Sequence, residues 1–291
     1  MMIYVLSPIG FCQGVKNSLN LTREYKTNHP SENLVFARKI VHDEKTNNEI
    51  IQETKATILS KTTLFNENTT LIFSAHGLSA DDILFAKKYH VNYLDTTCPI
   101  LKGVQKQINY FSKKSTLLFF IGKKSHPETL AFLSNNKNLI FISEDEIDNL
   151  NLSKYSKKDK AAVFFQSTLG QTIYLKTQHH FLNYFYNKPF FGSICKECLK
   201  RWNKLDNLKV SNNAIFIILG SKSSSNANEF YKKAKSLFTN KCYFISNLEE
   251  IKKIKLEKDL YLMSATSFSN LEVDRIINYL KEELKEDVKI I

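Results

Sequence analysis

The sequence predicts an α/β fold built from parallel sheets that are covered by helices. Apolar runs rich in β-branched and aromatic residues recur along the chain, and each ends in a short polar or glycine-bearing loop. Continuous apolar runs of this kind are typical of strands buried on both faces. Segments that follow them, for example 79–90, 229–239 and 272–286, have a helical pattern. Repeated strand–loop–helix units indicate parallel sheets with helices on their faces.

The strand-like runs outnumber the strands that one small sheet needs. With their loops they are MIYVLSPIGFCQG (2–14), LIFSAHG (71–77), STLLFFIGKKSHP (115–127), AAVFFQSTLGQT (161–172), NAIFIILGSKSSSN (213–226) and DLYLMSATSFSN (259–270). Their spacing predicts two or three small α/β units, with boundaries near residues 98 and 195. Ligands of such folds bind beyond the carboxyl ends of the strands, so these loops form the candidate site.

The composition describes a folded chain of 291 residues, of which 43% are hydrophobic, with a net charge of +12. No signal peptide and no apolar stretch long enough to span a membrane is visible, so we expect a cytoplasmic protein with no membrane partner. The positive charge attracts polyanions. Its lysines lie in scattered runs such as 154–160 and 252–258, which are typical of solvated faces, and no nucleic-acid-binding motif accompanies them.

Three of the five cysteines are candidate ligands, and two of these three end a strand-like run, where ligands are expected. Cys12 is in GFCQGV, Cys98 in DTTCP and Cys195 in GSICKEC, and the glycine and proline neighbours of the first two indicate turns. Cys242, in KCYFIS, fits a strand interior, where cysteine behaves as a small hydrophobic residue. Without an export signal, an odd number of widely spaced cysteines does not indicate a disulfide framework.

Three thiolates cannot complete a four-sulfur site, and they leave one metal position for a substrate. The third cysteine belongs to a CxxC pair, Cys195 and Cys198, which alone fits half of a zinc ribbon or a redox dithiol. No second CxxC exists to complete a ribbon. We therefore take Cys195 as the ligand and Cys198 as an accessory thiol that competes for this role.

Histidines and hydroxyl-bearing residues occupy the other loops. His42 in KIVHD, His76 in SAHGL and His126 in KKSHPE all follow apolar runs, and imidazole suits phosphate oxygens as a hydrogen-bond donor. The loop 220–226 is rich in serine and precedes a helical segment, as expected of an anion site. Ser267, in SATSFSN, ends another apolar run and can add a hydroxyl.

An acid follows the third histidine. Glu128 comes two residues after His126, and a carboxyl beside an open metal position is a candidate proton donor. Thr168, in QSTLGQT, can hold that carboxyl or the substrate by a hydrogen bond.

Together these motifs resemble one family. GFCQGV, VHD, SAHG, DTTCP, GKKSHPE, QST, SIC, GSKSSSN and SATS occur in the order and spacing of the 4-hydroxy-3-methylbut-2-enyl diphosphate reductases, the LytB family. The resemblance extends from about residue 3 to about residue 280. Each motif alone is weak, but nine in register are specific.

The resemblance implies three parallel-sheet α/β units, 1–98, 99–194 and 195–291, in a pseudo-threefold arrangement around a central cluster. It implies one [4Fe–4S] cluster per chain, with Cys12, Cys98 and Cys195 as ligands. One iron lacks a protein ligand and takes the hydroxyl group of the substrate.

The implied reaction is the reductive dehydroxylation of 4-hydroxy-3-methylbut-2-enyl diphosphate to isopentenyl and dimethylallyl diphosphates. Glu128 matches the carboxyl that delivers a proton, and Thr168 the hydroxyl beside it. The residues implied to bind the diphosphate are His42, His76, His126, Thr168, Ser224, Ser225, Asn226 and Ser267. An acidic ferredoxin or flavodoxin is the implied electron donor, for which the net charge provides a docking field. We expect a monomer that binds no nucleic acid.

The chain departs from the family pattern at several positions. Asp43 replaces the usual Asn, Ser167–Thr168 replaces paired threonines, and Lys196–Cys198 follow the third cysteine. The last loop has Ala265 and Thr266 where a glycine is usual. None of these differences removes a ligand or the acid.

Two alternatives stay open at this point. One is a basic RNA-binding α/β protein whose cysteines hold a structural metal, with RNA affinity that depends on salt. The other is a cluster-bearing scaffold that reduces a different substrate, against which the intact histidines and serine loop argue.

Overall fold

The fold is described from a computed structural model of the chain. The structure describes residues 2–41, 43–192, 194–210, 214–238, 241–256 and 258–291. The chain divides into two compact units. The first unit comprises Met1–Val15, Val41–Asn47 and Lys196–Ile291, and the second unit comprises Lys16–Ile40 and Asn48–Cys195.

Strands and helices alternate along the chain, as the sequence predicts. The strands are β1 (Ile3–Val5), β2 (Asn33–Phe36), β3 (Thr57–Ile58), β4 (Thr69–Phe73), β5 (Asn92–Asp95), β6 (Thr116–Gly122), β7 (Leu139–Ser143), β8 (Lys160–Phe165), β9 (Phe190–Phe191), β10 (Ile215–Leu219), β11 (Lys241–Ile245), β12 (Leu260–Ser264) and β13 (Val288–Ile290). The helices are α1 (Gln13–Asn28), α2 (Glu44–Thr54), α3 (Ala80–Lys88), α4 (Pro99–Ser112), α5 (Pro127–Asn135), α6 (Gln171–Tyr184), α7 (Lys196–Asn207), α8 (Ser225–Leu237), α9 (Leu248–Ile251) and α10 (Asn270–Leu284). A 3₁₀ turn covers Glu144–Asn149.

Within the described residues, these strands form three parallel sheets. One has the order β11-β10-β12-β1-β13, the second β3-β2-β4-β5 and the third β7-β6-β8-β9. The first sheet belongs to the first unit, and the other two belong to the second unit. The predicted fold class, three parallel-sheet α/β units, is confirmed.

The first sheet combines the two ends of the chain. Strand β1 lies between β12 and β13, with Ile3 opposite Leu260 and Val288. The sheets are therefore not three consecutive blocks of sequence. The proposed boundaries near residues 98 and 195 stay a prediction.

Each sheet owes its form to apolar side chains on both faces. All five residues of β10 and all five of β12 are buried. Alternate residues of each strand, Ile217 and Leu262 among them, pack with helix α10 in one core. In the second unit, β6 and β8 supply a core rich in phenylalanine, and β4 packs on α3 in another. Burial on both faces explains why these strands read as continuous apolar runs.

The predicted helices begin close to their predicted positions. Helix α3 starts after Ser79, whose side chain accepts a hydrogen bond from the Asp82 N–H, while the Asp82 carboxylate accepts one from the Ser79 N–H. This reciprocal capping box satisfies two donors that a helix start leaves unpaired. Helices α8 and α10 correspond to the predicted segments 229–239 and 272–286, but they begin before these segments, at Ser225 and Asn270. Among the described residues, no helix is both long enough and apolar enough to cross a bilayer.

The burial of residues at the centre of the first sheet allows a prediction of how a substitution there changes the free energy of unfolding. Leu262 in β12 has no exposed surface, and Leu271 at the start of α10 is 58% exposed. Replacing Leu262 with alanine should lower the free energy of unfolding by about 2–5 kcal/mol, because a cavity replaces buried methyl groups. Urea unfolding followed by circular dichroism measures the change.

Leu271→Ala is the matched control for this prediction, because it removes the same atoms from the surface of the same unit. Its effect should stay within about 0.5 kcal/mol. Equal effects of the two substitutions would contradict the placement of β12 at the centre of the sheet.

Candidate functional site

The candidate side chains follow the carboxyl ends of strands, as the sequence predicts. In the second unit the strands β4, β5, β6, β8 and β9 lead into His76, Cys98, His126 with Glu128, Ser167 with Thr168, and Cys195. In the first unit β1, β10 and β12 lead into Cys12, Ser224–Asn226 and Ser267. His42 lies outside the described residues.

Glu128 is a buried acid at the start of helix α5. The helix begins with Pro127, and the His126 Nδ1 accepts a hydrogen bond from the Glu128 N–H at 3.3 Å. Proline is suited to this first helical position, because its missing N–H is not needed there. The local sequence His-Pro-Glu thus places the acid in the first turn, where its side chain is 1% exposed.

Ser167 holds both oxygens of this carboxyl group. The Ser167 N–H donates to Glu128 Oε1 at 2.6 Å, and the Ser167 hydroxyl donates to Oε2 at 2.6 Å. The pKa of Glu128 is raised to about 7. Burial is the main cause and the charge of Cys195 adds to it, while the two hydrogen bonds from Ser167 lower the pKa. Near neutral pH the group therefore has both protonation states available, as general acid catalysis requires.

Ser167 also holds the third candidate cysteine. Its carbonyl accepts a hydrogen bond from the Cys195 N–H at 3.1 Å. One residue therefore fixes the carboxyl of Glu128 and the backbone of Cys195.

The hydroxyl that holds Glu128 is thus that of Ser167, whereas the sequence indicates Thr168 for either the carboxyl or the substrate. The Thr168 hydroxyl instead accepts a hydrogen bond from Gln166 Nε2 at 2.8 Å. Gln166 Oε1 in turn accepts from the Lys123 N–H at 3.0 Å. A role of Thr168 toward the substrate stays a prediction.

A glycine lets this loop approach strand β6. A Cβ atom at Gly122 would lie 2.9 Å from the Gln166 Cβ and 3.1 Å from the Thr129 hydroxyl oxygen. Only a residue without a side chain fits between them. Gly122 therefore allows the loops after β6 and β8 to come together.

Cys98 caps helix α4, which begins with Pro99. Burial raises the pKa of the Cys98 thiol, while the nearby N–H groups of Ile100 and Leu101 lower it. The charges of Cys195 and Glu128 also raise this pKa. The three groups are therefore electrostatically coupled within the second unit, and two backbone donors stabilise a thiolate at Cys98.

His76 and His126 also come together in the second unit. Their rings meet edge to face with centroids 5.7 Å apart. The Ser74 hydroxyl lies 3.2 Å from His76 Nδ1. Because His126 Nδ1 accepts a hydrogen bond, the neutral ring carries its proton on Nε2.

A cavity of about 310 Å³ opens beside His76. Its lining includes Thr97, Lys102, Phe132 and Asn135. Lys102 forms an ion pair with Asp95 at 2.8 Å. The wall of this cavity thus combines His76 with apolar side chains of the second unit.

In the first unit, side chains from the C-terminal part of the chain hold the Cys12 loop. The Gly10 N–H donates to the Ser264 hydroxyl at 2.6 Å, and the Phe11 N–H donates to Asn270 Oδ1 at 2.7 Å. Gly10 has a φ of +76°, and a Cβ there would lie 2.2 Å from Asn270 Oδ1, so the position requires glycine. The Cys12 N–H completes the set with a bond to the Thr266 carbonyl at 2.8 Å.

Arg201 is a buried residue of this site that the sequence analysis does not name. It is 1% exposed, and its guanidinium donates to the Ser264 carbonyl at 3.1 Å and to the Gly10 carbonyl at 2.8 Å. A signal was present in the sequence. Cys198, Arg201, Trp202 and Leu205 form the buried stripe of α7, and a cation in an apolar stripe requires buried acceptors.

The serine loop and the last loop meet in the first unit. Ser224 caps helix α8 by accepting a hydrogen bond from the Ala227 N–H at 3.3 Å. The hydroxyl oxygens of Ser224 and Ser267 are 3.4 Å apart. Two hydroxyls beside a helix N-terminus are suited to binding phosphate oxygens. Ser225 is the first residue of that helix.

Among the described residues, no three His, Cys, Asp or Glu side chains lie close enough together to hold a single metal ion. Cysteine ligands of a cluster bind different irons, so their sulfur atoms are spaced more widely than ligands of one ion.

Comparison with known sequences connects this geometry to a family. The family model described as LytB protein matches residues 3–281. The 4-hydroxy-3-methylbut-2-enyl diphosphate reductase of Dictyoglomus thermophilum is 30% identical over 284 residues, which cover 97% of this chain and 96% of that protein. The reductase of the same name from Wigglesworthia glossinidia brevipalpis is 28% identical over 300 residues, covering 100% and 93%.

Two solved structures share the fold. The E-1-hydroxy-2-methyl-but-2-enyl-4-diphosphate reductase from Plasmodium falciparum has a TM-score of 0.84 at 22% identity and covers 100% of this chain and 91% of its own. A second (E)-4-hydroxy-3-methyl-but-2-enyl diphosphate reductase has a TM-score of 0.68 at 20% identity, with coverage of 97% and 100%.

The raised pKa of Glu128 predicts how stability depends on pH. The folded protein binds this proton more tightly than the unfolded chain, because the pKa rises from 4.5 to about 7 on folding. The stabilisation is therefore complete below the unfolded pKa and is lost as the pH rises through about 7. The free energy of unfolding of the native protein, relative to Glu128→Gln, should fall by about 1.4 kcal/mol per pH unit across this window.

Urea unfolding at several pH values measures this difference, and Ser167→Ala tests its cause. Without the serine hydroxyl, the pKa of Glu128 should rise further in the folded protein, and the upper end of the window should move to higher pH. A difference between native protein and Glu128→Gln that stays constant from about pH 5 to pH 8 would show that the carboxyl titrates normally.

Proposed function

The chain belongs to the LytB family, and on that premise we propose that it converts 4-hydroxy-3-methylbut-2-enyl diphosphate to isopentenyl and dimethylallyl diphosphates by reductive dehydroxylation. The observation that carries the proposal is the buried Glu128 carboxyl. Ser167 donates two hydrogen bonds to this carboxyl and also accepts one from the Cys195 N–H. A family match over most of the chain also favours the reductase over the RNA-binding alternative.

Proteins of this family are iron–sulfur enzymes. We propose that this chain holds one [4Fe–4S] cluster through Cys12, Cys98 and Cys195, with one iron lacking a protein ligand. The donor set fits such a group, because the N–H groups of Ile100 and Leu101 favour a thiolate at Cys98, against the opposing effects of burial and of the Cys195 charge. When bound, the cluster supplies electrons one at a time and a Lewis-acidic iron.

The reaction balances with two electrons and two protons. The bond between the terminal carbon and the hydroxyl oxygen breaks, the oxygen leaves as water, and a new C–H bond forms. The two electrons come from an external donor, which we propose is an acidic ferredoxin or flavodoxin. The net charge of +12 supports this choice, since opposite charge steers association.

Glu128 is the proposed source of the proton that the leaving oxygen takes. With its pKa raised to about 7, the group can carry this proton near neutral pH. The two hydrogen bonds from Ser167 hold its oxygens in one orientation and then stabilise the carboxylate that remains.

The remaining polar residues are proposed to hold the diphosphate. Imidazole N–H groups and serine hydroxyls donate hydrogen bonds, and the N-terminus of α8 adds a favourable dipole. The proposed set is His42, His76, His126, Thr168, Ser224, Ser225, Asn226 and Ser267. A monomer in the cytoplasm remains our proposal from the sequence alone.

Turnover by iron-loaded protein tests the function. Protein purified without oxygen and supplied with dithionite and a viologen should consume 4-hydroxy-3-methylbut-2-enyl diphosphate and release both products. Glu128→Gln should lower the turnover number about 100-fold or more, because general acid catalysis typically contributes that much.

Glu249→Gln is the control for this assay, since the Glu249 side chain is 71% exposed, and it should turn over at the native rate. No consumption of the diphosphate by an iron-loaded preparation would refute the proposed function. Full activity of Glu128→Gln would refute only the role of the acid.

A further inference from the structure

Cys198 has a specific polar partner in the first unit. Its thiol lies on helix α7 and is 1% exposed. The Asn226 side chain, in the first turn of α8, donates from Nδ2 to the Cys198 sulfur at 3.0 Å. Asn226 is itself 3% exposed, so the contact is shielded from water.

The chemistry of the neighbours determines which way the Asn226 amide points. Asn226 Oδ1 accepts a hydrogen bond from the Thr266 N–H at 2.9 Å. A flipped amide would place its NH₂ group against that N–H, so that two donors would face each other. The sulfur atom of Cys198 therefore receives an N–H and acts as an acceptor.

The same amide is tied to two further loops of the first unit. The Thr266 peptide that donates to Asn226 also accepts, through its carbonyl, the hydrogen bond from the Cys12 N–H at 2.8 Å. Ser267 is the next residue along the chain. A rotation of the Asn226 amide would therefore disturb the last loop and the support of Cys12.

We propose that Cys198 is a positioning residue for the diphosphate site, which acts by holding the Asn226 amide in one orientation. The inference rests on the proposed function, in which Asn226 binds the diphosphate. The Nδ2 atom carries two N–H groups, and Cys198 takes one of them. In this proposal, the orientation that satisfies Cys198 and Thr266 leaves the other N–H for the diphosphate.

This role separates the two cysteines of the CxxC pair. The Cys198 thiol is buried against Asn226 in the first unit. Cys195, by contrast, donates its N–H in the second unit to the carbonyl of Ser167, the residue that also holds Glu128. The contrast supports Cys195 as the cluster ligand and gives Cys198 a different function.

Substitution of Cys198 tests the proposal, with isopentenyl diphosphate as the probe. Binding to anaerobic, iron-loaded protein is measured by isothermal titration calorimetry, together with iron content and visible absorption. Cys198→Ala should weaken binding about three- to tenfold, the usual worth of one hydrogen bond, and raise KM by the same factor. The turnover number, iron content and absorption should not change.

The conservative variant separates positioning from packing. Cys198→Ser keeps an acceptor and should restore binding to within about twofold of the native protein, whereas Cys198→Val keeps the volume without an acceptor and should behave like alanine. If Cys198→Ala does not fold, the valine variant carries the test. Cys242→Ala, which removes a half-buried thiol from β11 of the same unit, should bind the probe normally.

Three outcomes would overturn the proposal. They are native affinity in both the alanine and valine variants, equal weakening in the serine and alanine variants, and loss of iron from Cys198→Ala, which would make Cys198 a ligand. Native protein that neither binds isopentenyl diphosphate nor turns over would instead refute the proposed function, on which this inference depends.

Discussion

The candidate site depends first on the burial of one carboxyl group. A carboxylate that is removed from water needs strong hydrogen-bond donors, and Ser167 supplies two of them to Glu128 from its backbone and its side chain. Because the Ser167 carbonyl also accepts from the Cys195 N–H, the same residue connects the proposed proton donor to a proposed cluster ligand. Gly122 leaves room for the loop after β8 to approach strand β6, and the His-Pro-Glu segment places Glu128 in the first turn of α5. The raised pKa of Glu128 follows mainly from its burial.

The first unit uses the same principle without an acid. Buried side chains from other elements hold its loops. Arg201 binds the carbonyls of Gly10 and Ser264, and Asn226 binds the Thr266 peptide and the Cys198 thiol. Each of these groups would be costly to bury alone, and together they satisfy one another. Loops that must present a ligand or bind an anion are thereby held in place before either arrives, which reduces the entropy lost on binding.

The sequence predicts the sheets and the loop positions well, because both follow from patterns of a few neighbouring residues. Runs such as the one before Gly122 are apolar throughout since both faces are buried, and polar residues begin where the strand ends. It does not distinguish Ser167 from Thr168, because both carry a hydroxyl and only the path of the backbone decides which one faces Glu128. It also does not identify the partners of Arg201 or Cys198, since these contacts join residues that are far apart in the sequence. The arrangement of Cys12 with the other two cysteines remains a prediction.

We propose that Cys12, Cys98 and Cys195 hold a four-iron cluster with one iron open to the substrate. Mössbauer spectroscopy of protein loaded with ⁵⁷Fe tests it directly, because the method resolves iron sites with different ligands. We expect one iron in four to change its signal when 4-hydroxy-3-methylbut-2-enyl diphosphate is added, while the three irons bound to cysteine keep theirs. A four-iron spectrum that does not respond to the diphosphate would contradict the claim.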